Sequence, residues 1–178
     1  MIAVVAVDLQ PVFLEVVAKA DELRRRCSLL LESANLIGID VHLTEQVPQK
    51  LGSFDQELLA LAPSSTRFAK STFSAFGAEG LEDSLRNKGI EHLLLAGVET
   101  SICVHQTALD AMRLGFAVTI LSDCVSCRRP EDGEWSLRAL RDAGCHLMPI
   151  ETVLYSLLTT AENPFFKDFS KLVRKYDS

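Results

Sequence analysis

The thiol of Cys103 is the group in this sequence best placed to act as a nucleophile. It follows the apolar run Leu93–Ala96, which suits a strand covered on both faces, and Gly97, which stops that strand where a side chain would obstruct a turn. Beyond it, Val104, Ala108, Ala111 and Met112 fall at i, i+4, i+7 and i+8, an apolar helix face that Gly115 can terminate. Cys103 therefore sits in the first turn of a helix over Ser101–Leu114. Unpaired amides and the positive end of the dipole favour a thiolate there, so its pKa is expected below the free value of roughly 8.5. A lone cysteine also fits a small buried hydrophobe. His105 cannot be its base, because residues two apart on a helix face different ways.

Two other side chains offer what the thiol lacks. Asp8 ends the apolar run Ile2–Val7, where a carboxylate either caps the next helix or serves as a base whose pKa the apolar setting raises. Lys70 lies among Phe68, Phe73 and Phe76. A solvated lysine is the commoner case, but aromatics on both sides indicate a partly buried loop, in which a lysine needs a carboxylate partner.

Other patterns carry less. Cys124-Val125-Ser126-Cys127 has redox spacing, yet Arg128-Arg129-Pro130 follows it instead of a helix start, so a loop of free thiols bordering the pocket is expected. Asp40-Val41-His42 has metal-ligand spacing but falls inside a strand. Arg24-Arg25-Arg26 reads as a solvated helix face. A net charge of -6 disfavours a nucleic-acid surface, and five scattered cysteines argue for free thiols over a secreted disulfide framework. Met1 leads straight into an apolar strand with no basic leader and too few apolar residues to span a bilayer, so no membrane role and a cytoplasmic location are expected.

The elements that must position these groups alternate. Strand-like runs at Ile2–Val7, Ile39–Leu43, Leu93–Ala96, Ala117–Leu121 and His146–Ile150 are separated by helical periodicity. The helices fall at Val12–Ile37 with a break near its middle, Phe54–Leu61, Gly80–Asn87, Ser101–Leu114, Trp135–Ala143, Thr152–Thr159 and Pro164–Lys175. The pattern means one α/β domain over residues 1–178 with a parallel sheet. Ligands of such sheets bind beyond the carboxyl ends of the strands, which are followed here by Asp8, Thr44-Glu45, Gly97-Val98-Glu99 and Ser122-Asp123. A Gly-rich phosphate cradle is absent from the first turn, where Asp8-Leu9-Gln10-Pro11 stands, which weakens a flavodoxin-like nucleotide binder.

Asp8-Leu9-Gln10, Lys70-Ser71-Thr72-Phe73-Ser74-Ala75-Phe76 and Gly97-Val98-Glu99-Thr100-Ser101-Ile102-Cys103 together resemble the isochorismatase-like cysteine hydrolases, in order and over nearly the whole chain. The tail Asn163-Pro164-Phe165-Phe166-Lys167 resembles the isochorismatase domain-containing branch. The resemblance implies a three-layer αβα, Rossmann-like fold with a six-stranded parallel sheet in the order 3-2-1-4-5-6, the extra strand lying near Arg67-Phe68-Ala69. It implies a catalytic triad of Asp8, Lys70 and Cys103, a non-proline cis peptide at Val98–Glu99, and an oxyanion hole from the amides of Glu99 and Cys103.

Asp8 would then deprotonate Cys103, Lys70 would hold Asp8, and the thiolate would open a small amide through a thioester. Related nicotinamidases carry an Asp-x-His metal motif after the second strand, but the matching stretch here is Thr44-Glu45-Gln46-Val47-Pro48, so no metal and no other cofactor is expected. Gln10, Phe13 and Phe73 are candidates to line the substrate pocket. The partners expected are a small-molecule substrate and further copies of the chain, since 48% hydrophobic residues is high for this length. A non-catalytic binding or scaffolding protein on the same fold is the alternative.

Overall fold

The first strand, β1 (Ile2–Val7), is apolar throughout because both its faces are covered. Val4 and Ala6 share a core with Leu30 and Leu31 of α2 (Ala20–Ile37), Leu154 of α8 (Ile150–Leu158) and Phe169 of α9 (Phe166–Tyr176). Ala3, Val5 and Val7 join the opposite core with Leu85 of α5 (Leu81–Asn87), Ala108 of α6 (His105–Arg113) and Leu140 of α7 (Pro130–Asp142). This computed structural model describes residues 1–177, and Ser178 of the expected domain lies outside the described residues.

Around β1 the strands β2 (Asp40–Gln46), β3 (Thr66–Lys70), β4 (His92–Val98), β5 (Ala117–Ser126) and β6 (His146–Met148) complete a six-stranded parallel sheet in the order β3-β2-β1-β4-β5-β6. The Rossmann-like three-layer fold is therefore the expected one. The chain order reverses between β1 and β4, the place where open sheets leave a crevice.

The differences from expectation follow from buried polar residues. Thr44, Glu45 and Gln46 belong to β2 and do not trail it, since each side chain finds a partner inside the fold. Similarly β5 continues through Ser122 and Asp123 to Ser126, where the apolar run had stopped at Leu121. Gly97 does not end β4, which runs on to Val98, and the glycine sits there at φ +115. The first long helix breaks near its start and not near its middle: α1 (Pro11–Leu14) is separated from α2, which is continuous, by a turn in which Lys19 adopts a left-handed φ of +52. α7 begins five residues before Trp135, because Pro130 suits the first helical turn. Short helices α3 (Pro48–Leu51) and α4 (Gln56–Ala60) fill the β2–β3 crossover.

The arginine cluster is a correction. Arg26 is mostly buried, bonding Asp123 of β5 and Glu151 of α8 at 2.9 Å each, and Arg24 pairs with Asp55, so two of the three residues fasten α2 to its neighbours. No helix among the described residues is long and apolar enough to cross a membrane.

Candidate active site

Asp8 leaves β1 with a left-handed φ of +52, a conformation an aspartate tolerates better than most residues. That turn directs its carboxylate across the end of the sheet. Oδ1 accepts from the Thr44 hydroxyl at 2.8 Å, and Oδ2 accepts from Lys70 Nζ at 2.6 Å. Lys70 comes from the last position of β3, whose pairing with β2 sets it beside Gln46. The Lys70 and Asp8 side chains are 0% and 1% exposed, so this is a fully buried pair. The structure thus brings together two residues 62 positions apart, with the lysine held by the strand that the apolar periodicity had passed over.

Cys103 arrives from the far side of the crevice. After β4 the Val98–Glu99 peptide is cis, and Thr100–Val104 forms a single π-helical turn that leads into α6. The thiol lies close enough to the Asp8 carboxylate, Lys70 and the Glu99 amide for each to act on its ionisation. A lowered thiol pKa was expected from the helix start, and the reverse holds. Burial first and the Asp8 charge second push it up to about 12, against the pull of Lys70 and the Glu99 amide. A dipole at the start of a short turn is outweighed by desolvation beside an anion. Burial also raises Asp8, more than the charge of Lys70 and the hydrogen bonds from Lys70 and Thr44 lower it. The resting proton therefore stays on sulfur, beside the group that could take it.

Asp8 and Cys103 both line a cavity of about 380 Å³, with Lys70 fully buried behind Asp8. Phe13 and Phe73 line it, and Val12, Val16, Val98 and Ile102 make the remaining walls apolar. Gln10 does not line it. Its side chain is fully buried, holding the backbone of Gln46 and the Gly52 carbonyl, and the amide that reaches the cavity is Gln46. Arg128 closes one side, with its Nε and backbone amide on the Glu99 carboxylate at 2.9 and 3.0 Å. Reading the sequence missed both Gln46 and Arg128. For Gln46 a signal existed: a polar residue at the carboxyl end of a strand, where ligands bind.

The Cys124–Cys127 stretch is a further correction. Cys124 is inside β5 and fully buried beside Cys27, Cys127 is capped by the Arg129 carbonyl, and neither borders the cavity. All five cysteines are free thiols. His105 is engaged with Ser136 Oγ at 2.7 Å. Asp40 pairs with Lys88, while His42 stacks on Phe68 and bonds Ser84. Among the described residues, no group of three or more His, Cys, Asp or Glu side chains is arranged to hold a metal ion.

Comparison with known proteins gives a consistent result. A model of the isochorismatase domain matches residues 2–152. Isochorismatase domain-containing protein 1 of Danio rerio is 37% identical over 146 residues, which is 82% of this chain and 51% of that protein. The chain thus spans about half the length of that relative. The solved MAR1 ribonuclease from Caenorhabditis elegans superposes with a TM-score of 0.92 at 29% identity, covering 97% of this chain and 89% of that one. The YcaC gene product from Escherichia coli, titled an octameric hydrolase of unknown specificity, gives 0.87 at 25% identity, covering 99% and 93%.

Proposed function

The chain belongs to the isochorismatase family, in the branch of isochorismatase domain-containing proteins, and on that premise we propose that it cleaves the C–N bond of a small amide by cysteine catalysis. One observation carries the reading: the Cys103 thiol shares an apolar cavity with, and lies within electrostatic reach of, a carboxylate held by a buried lysine and a threonine. Asp8, Lys70 and Cys103 act as the triad.

As the sulfur attacks the amide carbon, its proton passes to Asp8 Oδ and the carbonyl oxygen becomes an oxyanion that the amides of Glu99 and Cys103 receive. Collapse breaks the C–N bond while Asp8 returns the proton to the departing amine. A thioester remains. Water then attacks it with Asp8 again taking a proton, the C–S bond breaks, and the thiol is restored, releasing a carboxylic acid. With the thiol pushed up to about 12 and protonated at rest, attack needs a base beside the sulfur to take its proton.

Cavity size and lining favour a small acyl group with an apolar body. The ribonuclease activity named for the nematode protein finds no support in the chemistry here, since the chain carries a net charge of -6 and the cation at the cavity, Arg128, is paired with Glu99. We read the protein as an oligomer as well. Val12, Val16 and Phe73 are exposed apolar residues at the cavity, and the Escherichia coli relative is titled octameric, so light scattering should return a dimer or larger.

The test of the reaction is a panel of small amides with mass spectrometry of the quenched enzyme. An acyl adduct on Cys103 that decays as acid is released supports the reading. Amide hydrolysis surviving in Cys103→Ala, or no turnover and no adduct across the panel, overturns it.

A further inference from the structure

The lysine that holds Asp8 has more acceptors than it has N–H groups. Lys70 Nζ donates to Asp8 Oδ2 and Gln46 Oε1 at 2.6 Å each, and to the carbonyls of Thr72 and Phe73 at 3.1 Å each. An ammonium offers three protons, so four acceptors compete for them.

Gln46 enters that competition in a fixed orientation. Its Nε2 donates to the Ser71 carbonyl at 3.0 Å, which leaves Oε1 for the lysine, and reversing the amide would set two donors against each other. Its backbone is fixed as well. Gln46 N donates to Gln10 Oε1 at 2.6 Å and Gln10 Nε2 donates back to the Gln46 carbonyl at 3.1 Å, so the buried Gln10 side chain pairs with the end of β2 as another strand would.

We propose that Gln46 is a positioning residue, set by Gln10, which shares the Lys70 ammonium with Asp8 and so keeps that carboxylate basic enough to take the Cys103 proton. The inference rests on the nucleophile and base assigned above. Hydrogen bonds to charged groups are roughly twice as strong as neutral ones, so an acceptor at 2.6 Å draws appreciably on the ammonium. Without it, three acceptors would match three N–H groups and Asp8 would hold the lysine more completely. A carboxylate held closer by a cation is a weaker base. The opposite change, a second carboxylate at position 46, would divide the cation between two anions and make Asp8 a stronger one.

No other charge obscures this. Asp8 faces Lys70 from β3, the Thr44 hydroxyl from β2 and Cys103 from the π-helical turn. Glu99 and Arg128 pair with each other across the cavity, and Glu45 is occupied by the Phe54 amide and Arg67.

The experiment is the pH dependence of Cys103 alkylation by iodoacetamide in the wild type, Gln46→Met and Gln46→Glu, followed by peptide mass spectrometry, with circular dichroism to confirm folding at each pH. The wild-type rate should rise to a plateau as Asp8 ionises. Gln46→Met should move the midpoint down and Gln46→Glu should move it up, each by about 1 pH unit, the scale of a neighbouring-charge effect. Gln46→Leu is the second acceptor-free variant should Gln46→Met not fold. Midpoints that stay fixed, or that move in the same direction in both variants, give Gln46 a packing role only and overturn the proposal. Wild-type protein whose Cys103 resists alkylation at every pH overturns the nucleophile assignment itself, and this proposal with it.

Discussion

Gly97 approaches Val7 so closely that a Cβ at position 97 would stand 2.0 Å from the Val7 carbonyl oxygen. The contact lies at the carboxyl ends of β1 and β4, one residue before Asp8, and Gly97 holds a φ of +115 that side chains rarely adopt. Gly97→Ala should therefore destabilise the fold by about 3 kcal/mol or more through clash and strain. At about 2–4 °C per kcal/mol for a chain of this size, the melting temperature should fall by about 6–12 °C. Selective labelling of Cys103 should be lost as Asp8 is displaced. A melt within about 1 °C of wild type would show that β1 yields without cost, contrary to close packing.

Thiol reactivity gives the second prediction. Cys103 is 8% exposed and lines the cavity, while Cys27 and Cys124 are fully buried, Cys127 and Cys145 are 4% exposed, and none of these four borders it. Limiting iodoacetamide should label Cys103 first. Earlier labelling of Cys124 or Cys127 would contradict both the nucleophile assignment and the placement of β5.

How much of this was legible in the sequence depends on what burial looks like. The β1 run showed itself because every residue in it is apolar, and Asp8, Lys70 and Cys103 stood in recognisable motifs. The carboxyl ends of β2 and β5 did not show, since Thr44, Gln46 and Asp123 look like loop residues until their partners Asp8, Lys70 and Arg26 are brought across the sheet. Those partners are 36, 24 and 97 positions away, beyond any local pattern. Gln10 was misplaced for the same reason: a polar residue after a strand suggested a ligand, whereas its ligand is the backbone of Gln46.

Metal dependence is the third prediction. Both Asp8 oxygens are already occupied, by Thr44 and Lys70, and the end of β2 presents Gln46 and Val47, neither of them a usual ligand for a divalent ion. Amide hydrolysis should survive exhaustive chelation unchanged. Stoichiometric zinc in the purified protein, with activity lost on its removal and restored on its return, would refute this.

Lys70→Ala tests the buried pair through stability. Removing one partner strands the Asp8 carboxylate, a loss of about 3–5 kcal/mol for a buried pair. The pH sign follows from Asp8, whose folded pKa is raised. A raised carboxylate favours the fold most below its unfolded value, and that contribution is lost as pH rises through the folded pKa. In Lys70→Ala the carboxylate is raised further, so the deficit against wild type should be full at neutral pH and shrink as acid protonates Asp8. Urea denaturation at several pH values measures it. A deficit that is independent of pH would assign the loss to packing alone.

The last prediction separates a triad from three independent contributors. On the proposed mechanism, Cys103→Ala removes the atom that bonds to carbon, and Asp8→Asn removes the group that takes the thiol proton and returns it to the amine. Each should lower single-turnover amide hydrolysis by at least about 100-fold, the lower end of what a positioned acid–base group supplies. Because every step that Asp8 serves follows the attack of sulfur on the amide, the covalent route is already closed once the sulfur is gone. The Cys103→Ala/Asp8→Asn double variant should therefore fall no further than Cys103→Ala, whereas independent contributions would multiply. Single-turnover rates on one hydrolysable amide, with thermal melts confirming that each variant is folded, decide the matter. Multiplying losses would mean that Asp8 also promotes hydrolysis by a route that does not pass through the sulfur, and near-wild-type turnover by Asp8→Asn would leave Cys103 without the base proposed for it.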